Sequence, residues 1–138
     1  MRVHGFVIVL LALVIGIVPA FTDCNSQGRS LTLQNGKTVP MKCHWTGRAE
    51  IAVAVPLAAV GALLAVNRRK QTRRALAAAA ALLGLMAIAL PVLLIGVCTA
   101  AEMICRMLMY PVLILAGILT IAVGVLSLYQ SRGPEASA

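Results

Sequence analysis

Four long apolar runs separated by polar segments set the pattern of the chain: Gly5–Phe21, Ile51–Val66, Ala75–Val97 and Met107–Tyr129. A helix crossing a bilayer needs roughly 20 apolar residues, each rising about 1.5 Å. The third and fourth runs, 23 residues each, meet that length, and the first two, at 17 and 16, borrow flanking residues such as Ala49, Glu50 and Asn67. The pattern predicts an all-α membrane protein, a bundle of four transmembrane helices near 5–21, 49–67, 75–97 and 107–129, in one membrane domain spanning 1–138. The first run has a second reading. "MRVHG", an apolar stretch and "VPA" also resemble a signal peptide with cleavage after Ala20, but Pro19 and Phe21 suit cleavage poorly, so a retained helix is expected.

Composition agrees. Hydrophobic residues make up 61% of the 138, charged residues 12%, and the mean hydropathy is +0.96. A soluble domain carries about a quarter charged residues, so the apolar surplus is expected to face lipid. The net charge of +8 comes without a basic domain carrying interleaved aromatics, and there are five aromatic residues in all, so no nucleic-acid partner is expected.

The basic residues are better read as topology signals. Arg68, Arg69, Lys70, Arg73 and Arg74 crowd the 67–74 connection, and short positively charged loops stay in the cytoplasm. That predicts cytoplasmic termini, with Arg2 and Arg132 beside them, outer loops at 22–48 and 98–106, and a multi-pass protein of the inner or plasma membrane. The bias is seven basic residues inside against five outside, and density decides it more than number. All four cysteines then fall on the oxidising side, Cys24 and Cys43 in the first outer loop and Cys98 and Cys105 in or at the second, as in exported disulfide proteins. Three connectivities are open.

The two halves echo one another. Pro19, Cys24 and Met41-Lys42-Cys43 are followed by Pro91, Cys98 and Met103-Ile104-Cys105. A real repeat would relate two hairpins by an axis along the membrane normal. Small residues at Ala54, Ala58 and Ala62, at Ala80 and Gly84, and at Gly117 and Gly124 suit close helix packing. Pro56, Pro91 and Pro111 are placed to bend helices near the outer face, opening a shallow vestibule there.

Within the first outer loop, "SLTLQNGKTVPM" alternates around Asn35-Gly36, a strong β-hairpin signal. The expectation is a small hairpin resting on the bundle as a cap. Of the three open connectivities, one with Cys24–Cys43 would close its base, and the cross-loop pairings would instead tie the two helical hairpins together. A sharper reading takes Met41, Cys43, His44, Met103 and Cys105, with Met107 and Met109, as soft donors for copper or haem, although no CxxC, HxxxH or Met-rich repeat is present. Another is thiol–disulfide exchange with a quinone. Four helices with two cysteines in each outer loop resemble the bacterial disulfide-generating membrane proteins, but their reactive CxxC is replaced here by Cys-x18-Cys and Cys-x6-Cys.

Glu50 and Glu102 are the acids at membrane boundaries. They are read as interfacial groups that fix helix depth, Glu102 pairing with Arg106 at i, i+4 or Glu50 with Arg106 across the bundle; the alternative is a proton or cation site in the vestibule. Trp45 is placed in the interfacial aromatic belt. The basic cluster is read as an inner anchor that can also touch anionic lipid.

"MKCHWTGRAEI" and "C…EMICRM…YPVLILAG" resemble the bacterial membrane family catalogued as domain of unknown function 4418. Met41, Cys43, His44, Trp45, Ala49 and Glu50 fit its first motif, and Met103 and Cys105 its second. Arg106 stands where the family often carries His, which weakens any metal site. The resemblance covers nearly the whole chain, and it implies an accessory subunit beside ABC-type export components. No nucleotide-binding loop is present, so the chain cannot power transport itself. The reading is a non-enzymatic accessory or structural membrane protein with no resident cofactor, binding lipid and a membrane partner such as an ABC-type permease. The thiol oxidoreductase and the copper or haem protein remain the alternatives.

Overall fold

A computed structural model describes residues 2–22, 31–39, 42–97, 102 and 104–132. Among them are four helices long and apolar enough to cross a membrane: α1 (Arg2–Thr22), α2 (Lys42–Val66), α3 (Lys70–Ala89) and α4 (Tyr110–Arg132). A π-turn at Leu90–Leu94 prolongs α3, and another at Cys105–Met109 leads into α4. Large apolar side chains such as Phe6, Leu10, Leu82, Leu93, Leu115 and Ile118 point outward around the bundle. Water would not tolerate that coat; a bilayer does. The chain is an integral, multi-pass membrane protein.

The helices pair as two antiparallel hairpins, α1 on α2 and α3 on α4, and the bundle is closed by contacts of α2 with α3 and of α1 with α4. Both termini of the helical region share the end of the 67–69 connection, called here the basic end. The opposite end carries β1 (Leu31–Thr32) and β2 (Thr38–Val39) and is called the hairpin end.

The core follows a seven-residue rhythm. In α1 the buried positions are Gly5, Ile8, Ala12, Ile15, Pro19 and Thr22, and in α4 they include Leu113, Gly117, Thr120, Gly124, Ser127 and Ser131. Spacings of three and four in alternation keep one seam facing its neighbour when helices supercoil left-handedly. A run of strict fours drifts off that seam. Of the expected Ala54, Ala58 and Ala62 face, Ala54 is buried, Ala58 half-buried and Ala62 exposed; Gly61, seven residues from Ala54, is the buried partner.

With no hydrophobic force between helices in lipid, close backbone approach holds them together. A Cβ on Gly5 would lie 2.6 Å from the Ala65 nitrogen and 2.7 Å from the Gly61 oxygen. In the second hairpin a Cβ on Gly117 would overlap the Ile88 side chain and lie 3.0 Å from the Gly84 oxygen.

The buried sets of the two hairpins match. Gly5, Ile8, Ala12, Ile15 and Pro19 recur 72 residues later as Ala77, Ala80, Gly84, Ala87 and Pro91, all buried. Glu50, Ala54, Leu57, Gly61 and Leu64 recur 63 residues later as Leu113, Gly117, Thr120, Gly124 and Ser127, again all buried. The Met-x-Cys motifs lie 62 apart instead. The π-turn at Cys105–Met109 accounts for the difference, because it holds one residue more than the matching turn of α2.

Two boundaries differ from expectation. α2 starts at Lys42, so His44–Arg48 is helix where loop was expected, and the α4 helix extends through Arg132. Hydropathy marks where a helix enters the apolar phase, whereas the backbone ladder runs on until something stops it. At the basic end, three residues join α2 to α3, with Asn67 Oδ1 accepting from the Arg69 N–H at 3.2 Å.

The hairpin forms around Asn35-Gly36, with Leu31 opposite Val39 and Thr32 opposite Thr38. The Gly36 N–H donates to the Leu33 oxygen and the Leu33 N–H to the Lys37 oxygen. Gly36 has φ +81°, a conformation that glycine adopts without strain. Every side chain from Thr32 to Val39 is exposed, so the described part of the hairpin does not rest on the bundle as a cap would.

Candidate functional site

Pro91 has no N–H to give to the helical ladder and crowds the preceding turn. The chain widens in response: the Ile95 and Gly96 N–H groups both donate to the Leu90 oxygen, at 3.0 and 3.1 Å. Gly96 then turns away with φ +82°. Its carbonyl accepts a 2.7 Å hydrogen bond from Thr46 Oγ1, on α2 of the other hairpin. On α4 the second π-turn closes where the Tyr110 N–H donates to the Cys105 oxygen, and it turns Cys105 and Met109 inward. A groove of about 280 Å³ runs here, lined by Pro91, Val92, Gly96, Val97, Arg106 and Tyr110.

One helical turn past Thr46 lies Glu50. It is 0% exposed, and neither carboxyl oxygen has a hydrogen-bond partner among the described residues. Most other buried polar side chains are satisfied locally: Thr22 Oγ1 donates to the Val18 oxygen, Thr120 Oγ1 to Ala116 and Ser131 Oγ to Leu128. Ser127 Oγ lacks a partner too, but a lone hydroxyl costs far less to bury than a carboxylate. Packing does not require an acid at position 50, since the equivalent place in the second hairpin holds Leu113, equally buried.

Glu50 thus faces the other helices of the bundle, and its carboxyl makes no hydrogen bond to Arg106. Its phase explains why: position 50 falls in line with Ala54, Leu57 and Gly61, which face the other helices. Glu102 and Arg106 are exposed. Trp45 is 57% exposed on the first turns of α2, its ring meeting half-buried His44 edge-on with centroids 5.7 Å apart.

Cys24, Met41, Cys98 and Met103 lie outside the described residues, and of Cys43 only the backbone, in the first turn of α2, is described. The three disulfide connectivities, and most of the soft-donor set, fall there. Cys105 is buried at 1% exposure, and no disulfide is seen among the described residues. Nor do those residues bring together three His, Cys, Asp or Glu side chains suited to a metal.

The basic cluster divides by role. Arg74 donates from Nε and Nη2 to the Ser131 oxygen, at 3.1 and 2.8 Å, tying α3 to the last turn of α4. Arg68, Arg69 and Lys70 line an open depression of about 750 Å³ with Gln71, Thr72 and Ala75. Three cations at the N-terminus of α3 oppose its helix dipole, so helix stability does not explain them.

Thr46 and Gly96 join the site without having been anticipated from sequence. The available signal was phase: Thr46, Glu50, Leu57 and Leu64 step along one seam by four and then by sevens.

Residues 3–130 match a family model described as Domain of unknown function (DUF4418). No curated protein and no solved structure matches the chain.

Proposed function

The chain belongs to the DUF4418 family, and from that premise we propose that it is a non-enzymatic accessory subunit of a membrane complex, an ABC-type transporter being the kind of partner intended. The exposed β-hairpin carries the reading. Isolated two-stranded hairpins are marginal in water. This one leaves Leu33 and Val39 in solvent and presents open strand edges. Such an element gains stability when it lies against another protein, by edge pairing or by covering its apolar face. In the proposed orientation the basic end faces the cytoplasm and the hairpin faces outward, in the inner or plasma membrane. A Cys24–Cys43 disulfide would fasten the hairpin's base. The thiol-exchange alternative is disfavoured by the burial of Cys105, because an attacking sulfur needs access.

The test is purification from native membranes in mild detergent. A stoichiometric membrane partner is expected, and it should be lost when Leu33 is replaced by Lys while the purified variant keeps its helical circular dichroism. Recovery of the unaltered protein alone would count against the proposal.

A further inference from the structure

We infer that Glu50 binds a small monovalent cation, a proton or an alkali ion competing with it, at the contact between α2 and the end of α3. Three observations meet there. The carboxyl is fully buried with both oxygens unpartnered among the described residues, and an acid in that condition requires a positive partner or a proton. The repeat supplies a control inside the same molecule: the position is served by Leu113 in the second hairpin, so the acid is not a packing device. The third observation is electrostatic. α3 ends at this level, tied to α2 by the Thr46 hydrogen bond to Gly96. The end of a helix presents carbonyl oxygens without helical partners and the negative pole of its dipole. A carboxyl one turn from that pole lies in a field that attracts cations. Thr46 Oγ1 donates its proton to Gly96 and keeps lone pairs free to accept.

The surrounding ionisable groups leave the role to Glu50. The hairpin halves of α1 and α3 bring none, since 5–22 and 75–97 contain no ionisable side chain. α2 brings His44 and Arg48, and the α4 segment brings buried Cys105 with Arg106 and Tyr110 in the groove. Gly96 lines that groove and also accepts from Thr46, so the groove lies beside the contact between α2 and the end of α3.

The full-length protein in lipid nanodiscs tests this with a hydrophobic carbodiimide, which adds to a protonated carboxyl and leaves a stable acylurea detectable by mass on the Glu50 peptide. Labelling of Glu50 is expected, with a rate falling about tenfold per pH unit once pH passes the group's titration. Slower labelling in sodium or potassium than in choline at equal ionic strength assigns an alkali ion as competitor; equal rates assign the proton alone. A carboxyl infrared band that is absent in E50Q and bleaches as pH rises gives a second readout without the reagent. A Glu50 that neither labels nor shows a bleaching band overturns the inference, as does one whose labelling and band ignore pH.

Discussion

Thr46 Oγ1 donates to the carbonyl of Gly96 at 2.7 Å, joining two residues that lie fifty apart in the chain and on different hairpins. The bond fastens the broken end of α3 to α2. Replacing Thr46 by Val keeps the shape and removes the donor. A loss of about 1 kcal/mol is expected, in the range of interhelical hydrogen bonds in membranes, read as a lower midpoint of thermal unfolding in detergent. T46S, which keeps the hydroxyl, should recover most of it.

Glycine contacts should be costly to fill in both hairpins. A methyl group on Gly5 meets backbone atoms of Gly61 and Ala65. One on Gly117 meets Ile88 Cγ1, close to the backbone of a β-branched residue, and the Gly84 oxygen. G5A and G117A are each expected to destabilise by about 1–3 kcal/mol, the range for overpacked cores. Thermal melts of both variants in the same detergent check this, and an unchanged melt for either would mean that its helix contact is loose.

Leu is the residue that packing chose at the position equivalent to Glu50. E50L should leave stability unchanged or raise it by about 1–4 kcal/mol, as often happens when an apolar side chain replaces a buried charge. The same variant should lose carbodiimide labelling. A lower melting point for E50L would mean that the carboxyl is needed for the fold.

How much of this could be read in the chain itself depends on what lipid demands of each residue. The four spans were legible because a bilayer requires long apolar runs. Which side of each span faces inward was not, because inner and outer faces are both apolar; the small residues carried the remaining signal, and reading Ala54, Ala58 and Ala62 in strict fours followed it off the seam. The burial of Glu50 was not legible for a related reason: the apolar run begins at Ile51, whereas α2 begins at Lys42. The Asn35-Gly36 turn was plain, being local chemistry. The π-turns were not, although Pro91 and the one-residue slip between the Met-x-Cys spacing and the glycine spacing both pointed to them.

Arg74 and its basic neighbours should separate experimentally. R74Q loses two hydrogen bonds to the Ser131 carbonyl and is expected to melt lower by about 1–3 kcal/mol, the range for bonds to charged groups. Gln at Arg68, Arg69 and Lys70 together should leave the melt nearly unchanged. The triple variant should instead weaken orientation, which a C-terminal fluorescent reporter, expected to light only in the cytoplasm, would register as partial loss of signal.

Cys105 provides a measure of how tightly the hairpin end is closed. After reduction, a maleimide should modify it at least about tenfold more slowly in the folded protein than in denaturant, because open forms are rare at buried sites. Equal rates would mean that this end of the bundle breathes freely.

The extra residue in the π-turn at Cys105–Met109 has an effect beyond its own turn. In an uninterrupted α-helix one added residue would rotate everything before it by roughly 100° around the axis, whereas a widened turn takes it up locally. The seam from Leu113 onward therefore keeps the phase of its counterpart from Glu50 onward. The two hairpins share one inward-facing pattern toward the basic end and differ at the hairpin end, so a neighbour approaching that end meets two unlike halves.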